Sequence, residues 1–148
     1  MKNNIIIVSK MNCSLLTKDI AEKLGKNYCD LFADLTQELG NINKYRMEHG
    51  DEYLTIERQA LKKLLKKPDY LSFVSYDIFK HNLSPEIYAD TYVIMLDFGY
   101  FIRIGDEIVR MKQSIRYQKA KSLCDFVLDC RNKGEDKIIK EIMREINE

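Results

Sequence analysis

The run Ile5-Ile6-Ile7-Val8 constrains this chain more than any other stretch. Four β-branched residues in succession, bounded by polar ones, leave no side for solvent, which predicts a strand buried on both faces. Such a strand needs a layer of helices on each side of its sheet. Leu16, Ile20, Ala21 and Leu24 follow at helical spacing, and Gly25 stands where a left-handed residue would close that helix. Strand, short connection and helix together open a βαβ unit.

The alternation continues along the chain. Tyr28-Cys29-Asp30-Leu31 reads as a short second strand, and helical patterns cover about 33 to 39, 42 to 48 and 51 to 67, where Pro68 stops the last. Tyr70 to Val74 predicts a third strand and Tyr92 to Leu96 a fourth. A helix over about 106 to 122 leads to a fifth strand at Asp125 to Asp129. Ile138, Ile139, Ile142, Met143 and Ile146 then share one face of a closing helix. The expectation is a three-layer α/β sandwich forming one domain over residues 1–148. Its five-stranded parallel sheet is expected in the order 2-3-1-4-5, the first strand central.

Composition excludes several classes of function. Twenty-four basic side chains face twenty-three acidic ones, for a net charge of +1, so the basic excess that a nucleic-acid partner demands is missing. The longest apolar stretch, Tyr92 to Leu96, is far below the roughly 20 residues that span a bilayer, and Ile5 to Val8 is too short for a signal-peptide core. A cytoplasmic location without membrane contact is expected. Cys13, Cys29, Cys124 and Cys130 form no C-x-x-C pair, and His49 and His81 have no ligand at metal-site spacing. The cysteines are expected to be reduced core fillers.

Read in order, four stretches resemble shikimate kinases, small P-loop enzymes of the nucleoside-monophosphate-kinase type. IIIVSKMNCSLLTKDIAEKLG resembles the family's first strand, phosphate loop and first helix, and YCDLFADLTQELG the acidic strand end after it. RMEHGDEYLTIERQALKKLL resembles the substrate-domain helices, and SIRYQKAKSLCDFVLD the path from a substrate-binding arginine to the last strand. The resemblance implies a kinase fold and, for an active member, ATP and Mg²⁺.

The motifs that carry the chemistry are another matter. A phosphate loop needs glycines so that N–H groups can point inward, a lysine for the β- and γ-phosphates, and a hydroxyl for Mg²⁺. Here the loop is Ser9-Lys10-Met11-Asn12-Cys13-Ser14, and the first glycine of the chain is Gly25. Ser14 matches the metal-binding hydroxyl, but Cys13 takes the lysine position. Of the paired aspartates at the strand end, Asp30 is kept and Phe32 replaces the second. The arginine that grips the substrate carboxylate falls at Leu54 or Thr55, and the tri-glycine turn at Val74-Ser75-Tyr76. Arg103 and Arg110 are the only candidates for a lid arginine, and neither stands in a matching motif. Arg116, thirteen residues before Asp129, does match a substrate-type arginine.

Each remnant has a plainer reading, which we prefer. Lys10 either reaches a phosphate from a remodelled loop or is a solvated lysine at a strand end. Ser14 either ligates a metal or caps the helix that follows. Asp30 either holds Mg²⁺ through water or is simply polar at a strand end. Arg116 either binds an anion or makes an ion pair. Arg58, Lys62, Lys63, Lys66 and Lys67 form a solvated helix face rather than a nucleic-acid or membrane surface.

Phosphoryl transfer depends on positioning and charge stabilisation, and removing one preorganised donor costs about 10²–10³-fold in rate. With several donors missing, the expectation is no catalytic residue and no cofactor. The protein is expected to be a pseudo-kinase, serving as a binding or regulatory module for a protein partner or a small anionic ligand. The alternative is an active shikimate kinase, or a related enzyme, that transfers the ATP γ-phosphate to a hydroxyl. A third reading is a binding protein that keeps part of an anion site around Arg116.

Overall fold

The computed structural model describes residues 3–99 and 107–147, with backbone alone at 107, 109 and 110. Strand β1 (Asn4–Ser9) leads through a four-residue loop into helix α1 (Ser14–Leu24). Gly25 closes that helix at φ 67°, and its N–H and that of Lys26 satisfy the carbonyls of Glu22 and Ala21. Helices α2 (Leu31–Leu39), α3 (Ile42–His49) and α4 (Asp51–Leu65) follow. Strand β2 (Leu71–Ser75) then runs directly into the single turn α5 (Tyr76–Phe79). A 3₁₀ turn (Pro85–Tyr88), strand β3 (Thr91–Asp97), helix α6 (Glu107–Leu123), strand β4 (Phe126–Asp129) and helix α7 (Glu135–Asn147) complete the chain.

All strand pairs are parallel, in the order β2-β1-β3-β4, with β1 inside the sheet. Its side chains alternate between two cores, as a doubly covered strand must. Ile6 and Val8 join Leu31, Leu35, Tyr53, Leu61 and Leu64 from the helices between β1 and β2, together with Tyr117 of α6. Ile5 and Ile7 join Leu16 and Ile20 of α1 and Ile138, Ile139 and Ile142 of α7. This is the expected three-layer α/β sandwich.

The sheet has four strands among the described residues, not the five expected. Residues 28–31 do not form a strand. Pairing begins at Asn27, which bridges Tyr70, and Asn27 exchanges hydrogen bonds with Asp69 O at 3.0 Å and Leu71 N at 2.9 Å. At Cys29 the next N–H finds the hydroxyl of Ser72 at 3.0 Å instead of a main-chain carbonyl. Asp30 then caps α2, and Leu31 is already helical. The expected order 2-3-1-4-5 becomes, with the missing strand removed, the order observed.

All four cysteines are free thiols, with Cys13 and Cys130 buried. Among the described residues no helix is long and apolar enough to cross a membrane.

Candidate functional site

The loop between β1 and α1 opens at the carboxyl end of the sheet, where α/β folds place ligands. Its shape follows from side chains that bind its own main chain. Ser9 is buried at the end of β1, and its Oγ accepts the N–H of Met11 at 3.1 Å. Asn12 Oδ1 accepts both the N–H of Ser14 at 3.0 Å and its hydroxyl at 2.7 Å. Such turns are the ordinary use of an Asn before a helix. Cys13 is the residue at the helix cap, with no side-chain cap bond, and Ser14 is the first helical residue. Ser14 therefore does not cap α1; Asn12 satisfies its main chain instead. The Cys13 side chain is buried in the α1–α7 core beside Leu16 and Ile20, away from the loop mouth. Burial pushes the thiol above its ordinary pKa.

Beside this loop lies a cavity of about 340 Å³, a size usual for a small-molecule site. Lys10, Asn12, Ser14 and Asp30 contribute to one side of it. Leu31, Phe32, Leu35, Ile42, Tyr53, Phe73, Val74 and Ile78 give it apolar walls, and Asn43, Arg46, Ser75 and Asp77 add polar groups. The fold thus brings Lys10, Ser14 and Asp30 together and turns Cys13 away. Arg116 does not line this cavity. It is exposed on α6, close enough to Tyr76 to oppose the rise that burial gives that phenol's pKa. Among the described residues Arg116 makes no ion pair, contrary to the plainer expectation. Arg103 and the side chain of Arg110 lie outside the described residues.

Lys10 is not simply solvated. Its ammonium stands 4.9 Å from the ring centroids of both Tyr76 and Tyr117, a cation–π seat. Burial and then the charge of Lys80 lower its pKa to about 8. Asp30 Oδ1 accepts the N–H of Ala33 at 3.0 Å and so caps α2. Phe32 is 66% exposed at the cavity rim. Where a glycine turn would follow β2, Ser75 instead caps α5 through Ile78 N–H at 3.4 Å. Leu54 and Thr55 lie outside the cavity, and Thr55 Oγ1 donates back to Asp51 O at 3.5 Å.

Two site residues were not anticipated from the sequence. Asn12 carried a signal, an Asn two residues before a helix start. Arg46 shares a helix face with Ile42, four residues earlier, yet its partner Tyr53 lies across the Gly50 break that separates α3 from α4. Its guanidinium carbon is 4.9 Å from the Tyr53 ring centroid, and Nη2 is 3.5 Å from the Tyr53 hydroxyl. Its Nε is buried without an acceptor. No such cross-helix pair can be read from spacing.

No family model matches this sequence, and no curated protein does. Solved structures do match its fold. It is similar to shikimate kinase from Aquifex aeolicus at 16% identity and TM-score 0.78, over 97% of this chain and 96% of that one. Shikimate kinase from Acinetobacter baumannii, solved in complex with shikimate, matches at 13% identity and TM-score 0.76, over 97% and 92%. Dephospho-CoA kinase from Campylobacter jejuni matches at 13% identity and TM-score 0.61, over 99% and 98%. The chain has the fold of these small kinases. At such identities the likeness extends to the fold alone.

Proposed function

We propose that this protein keeps a small-kinase fold as a binding module and holds a small anionic ligand in the cavity beside the β1–α1 loop, without transferring phosphate. The observation that carries the reading is a loop whose own side chains take two of its N–H groups. A nucleotide cradle needs main-chain N–H groups left open for phosphate oxygens. Here Ser9 and Asn12 already accept the N–H groups of Met11 and Ser14. Ser14 Oγ–H is donated to Asn12 and Asp30 Oδ1 accepts from Ala33, so both side chains are held in local turns and caps, and the lysine position is taken by Cys13, buried away from the loop. The residues present do not fit ATP and Mg²⁺, and we derive no step through them.

The acceptor side supports the same reading. Phe32 at the rim cannot accept a hydrogen bond from a polyol, and the walls behind it are apolar, where a hydroxyl buried without a partner costs about 1–3 kcal/mol. Shikimate phosphorylation by the loop-rebuilt protein is the test. Residues 8 to 14 are replaced by a glycine-rich loop ending in Gly-Lys-Ser. ATP binding is expected to return in part, with phosphate on the N–H groups at the start of α1. No shikimate phosphate is expected. Turnover of shikimate by the rebuilt protein would contradict the reading of the acceptor side; turnover by the unmodified protein would contradict the proposal as a whole and favour the active-kinase alternative.

A further inference from the structure

Arg46 is a guanidinium with no anion. Among the described residues no carboxylate lies within ion-pair distance of it, and its best polar contact is the 3.5 Å approach to the neutral Tyr53 hydroxyl. Its Nε–H is enclosed and lacks an acceptor. A charge taken partly out of water in this way is costly unless something pairs with it. The guanidinium carbon lies 4.9 Å from the Tyr53 ring centroid, a cation–π contact that helps to hold the group at the cavity. Arg46 also lines the 340 Å³ cavity. The other charged side chains there are Lys10, Asp30 and Asp77. Asp77 is paired with Lys80 at 3.1 Å and Asp30 caps α2, while the Arg46 guanidinium faces an entering anion.

The rest of the cavity defines the body of that ligand. Leu31, Leu35, Ile42, Tyr53, Phe73 and Val74 supply walls suited to an apolar ring or short chain, with Phe32 at the rim. Resting on the binding-module reading above, we infer that Arg46 seats the carboxylate of a small acid with an apolar body, held against the wall formed by α2, α3 and β2. Arg is the side chain suited to planar two-point recognition of a carboxylate.

Calorimetric titration of the intact protein with benzoate tests this, with benzamide, shikimate and inorganic phosphate as comparison probes. Benzoate is expected to bind, benzamide at least tenfold more weakly, and shikimate more weakly than benzoate because its hydroxyls meet apolar walls. Arg46→Met is expected to weaken benzoate at least tenfold, while Arg46→Lys keeps part of the affinity. Circular dichroism and melting temperature verify that both variants fold; if Arg46→Met does not, the benzoate–benzamide difference in the native protein carries the decision. Equal binding of benzoate and benzamide, or unchanged benzoate affinity in folded Arg46→Met, overturns the inference. Tighter binding of phosphate or shikimate than of benzoate overturns the assignment of an apolar acid. None of these results touches the absence of phosphoryl transfer, which fails only if ATP is bound or turned over.

Discussion

At the end of β3 one carboxylate gathers three donors. Asp97 accepts the Tyr117 hydroxyl at 2.9 Å, the Lys121 ammonium at 3.0 Å and the Gly99 N–H at 3.0 Å. Burial works against its ionisation, but these hydrogen bonds outweigh it and hold the carboxyl below its ordinary pKa. The stabilisation belongs to the charged form. It is complete above the unfolded carboxyl's value of about 4 and is lost as pH falls through the lower folded value. Asp97→Asn is therefore expected to cost about 1–3 kcal/mol at neutral pH, with a gap to the native protein that narrows below about pH 4. Urea unfolding at pH 7 and pH 3 measures both. A gap that stays constant or widens on acidification would contradict this account. Neither Asp97 nor Arg46 stood out in the sequence, because each depends on partners from elements distant along the chain. Asp30 and Ser14 did stand out, yet their local hydrogen bonds give them structural work that spacing alone does not reveal.

Helix α4 and the segment after α5 meet around a buried amide. Asn82 donates to Ile78 O at 2.8 Å and to Glu57 Oε1 at 3.3 Å, and accepts from Arg58 Nε at 3.0 Å. The main-chain carbonyl of Asn82 accepts the Tyr88 hydroxyl at 2.9 Å. Glu57 is fully buried, with His81 Nδ1 3.4 Å from the same oxygen. Replacing Asn82 by Ala removes its bonds to Glu57 and Arg58 of α4, keeps the Arg58 Nη2 bond to His81 O at 3.2 Å, and leaves a buried carboxylate with fewer donors. A loss of about 2–3 kcal/mol is expected, at the upper end for one hydrogen-bonding side chain, and is checked by denaturant midpoints. A loss below about 0.5 kcal/mol would show that the connection is held by apolar packing instead. Elements with a strong period were legible: β1, α4 and α7 lie close to where apolar spacing put them. The expected second strand failed because the Ser72 hydroxyl takes the Cys29 N–H and Asp30 caps α2 through the Ala33 N–H, a competition that apolar content does not register.

For the molecule as a whole, the doubly buried β1 and the alternating helices were sufficient to anticipate the layers and the central strand. The site was less legible, since a loop is defined by where its N–H groups point, and here Asn12 and Ser9 decide that. The central claim is that the fold persists while the nucleotide cradle is closed by its own side chains. Thermal unfolding of the unmodified protein with and without millimolar ATP and Mg²⁺ tests it most directly. A ligand at 100 times its dissociation constant adds about 2.7 kcal/mol to the folded state, enough to raise the melting temperature by several degrees. The account predicts no shift, and a rise of several degrees would contradict it.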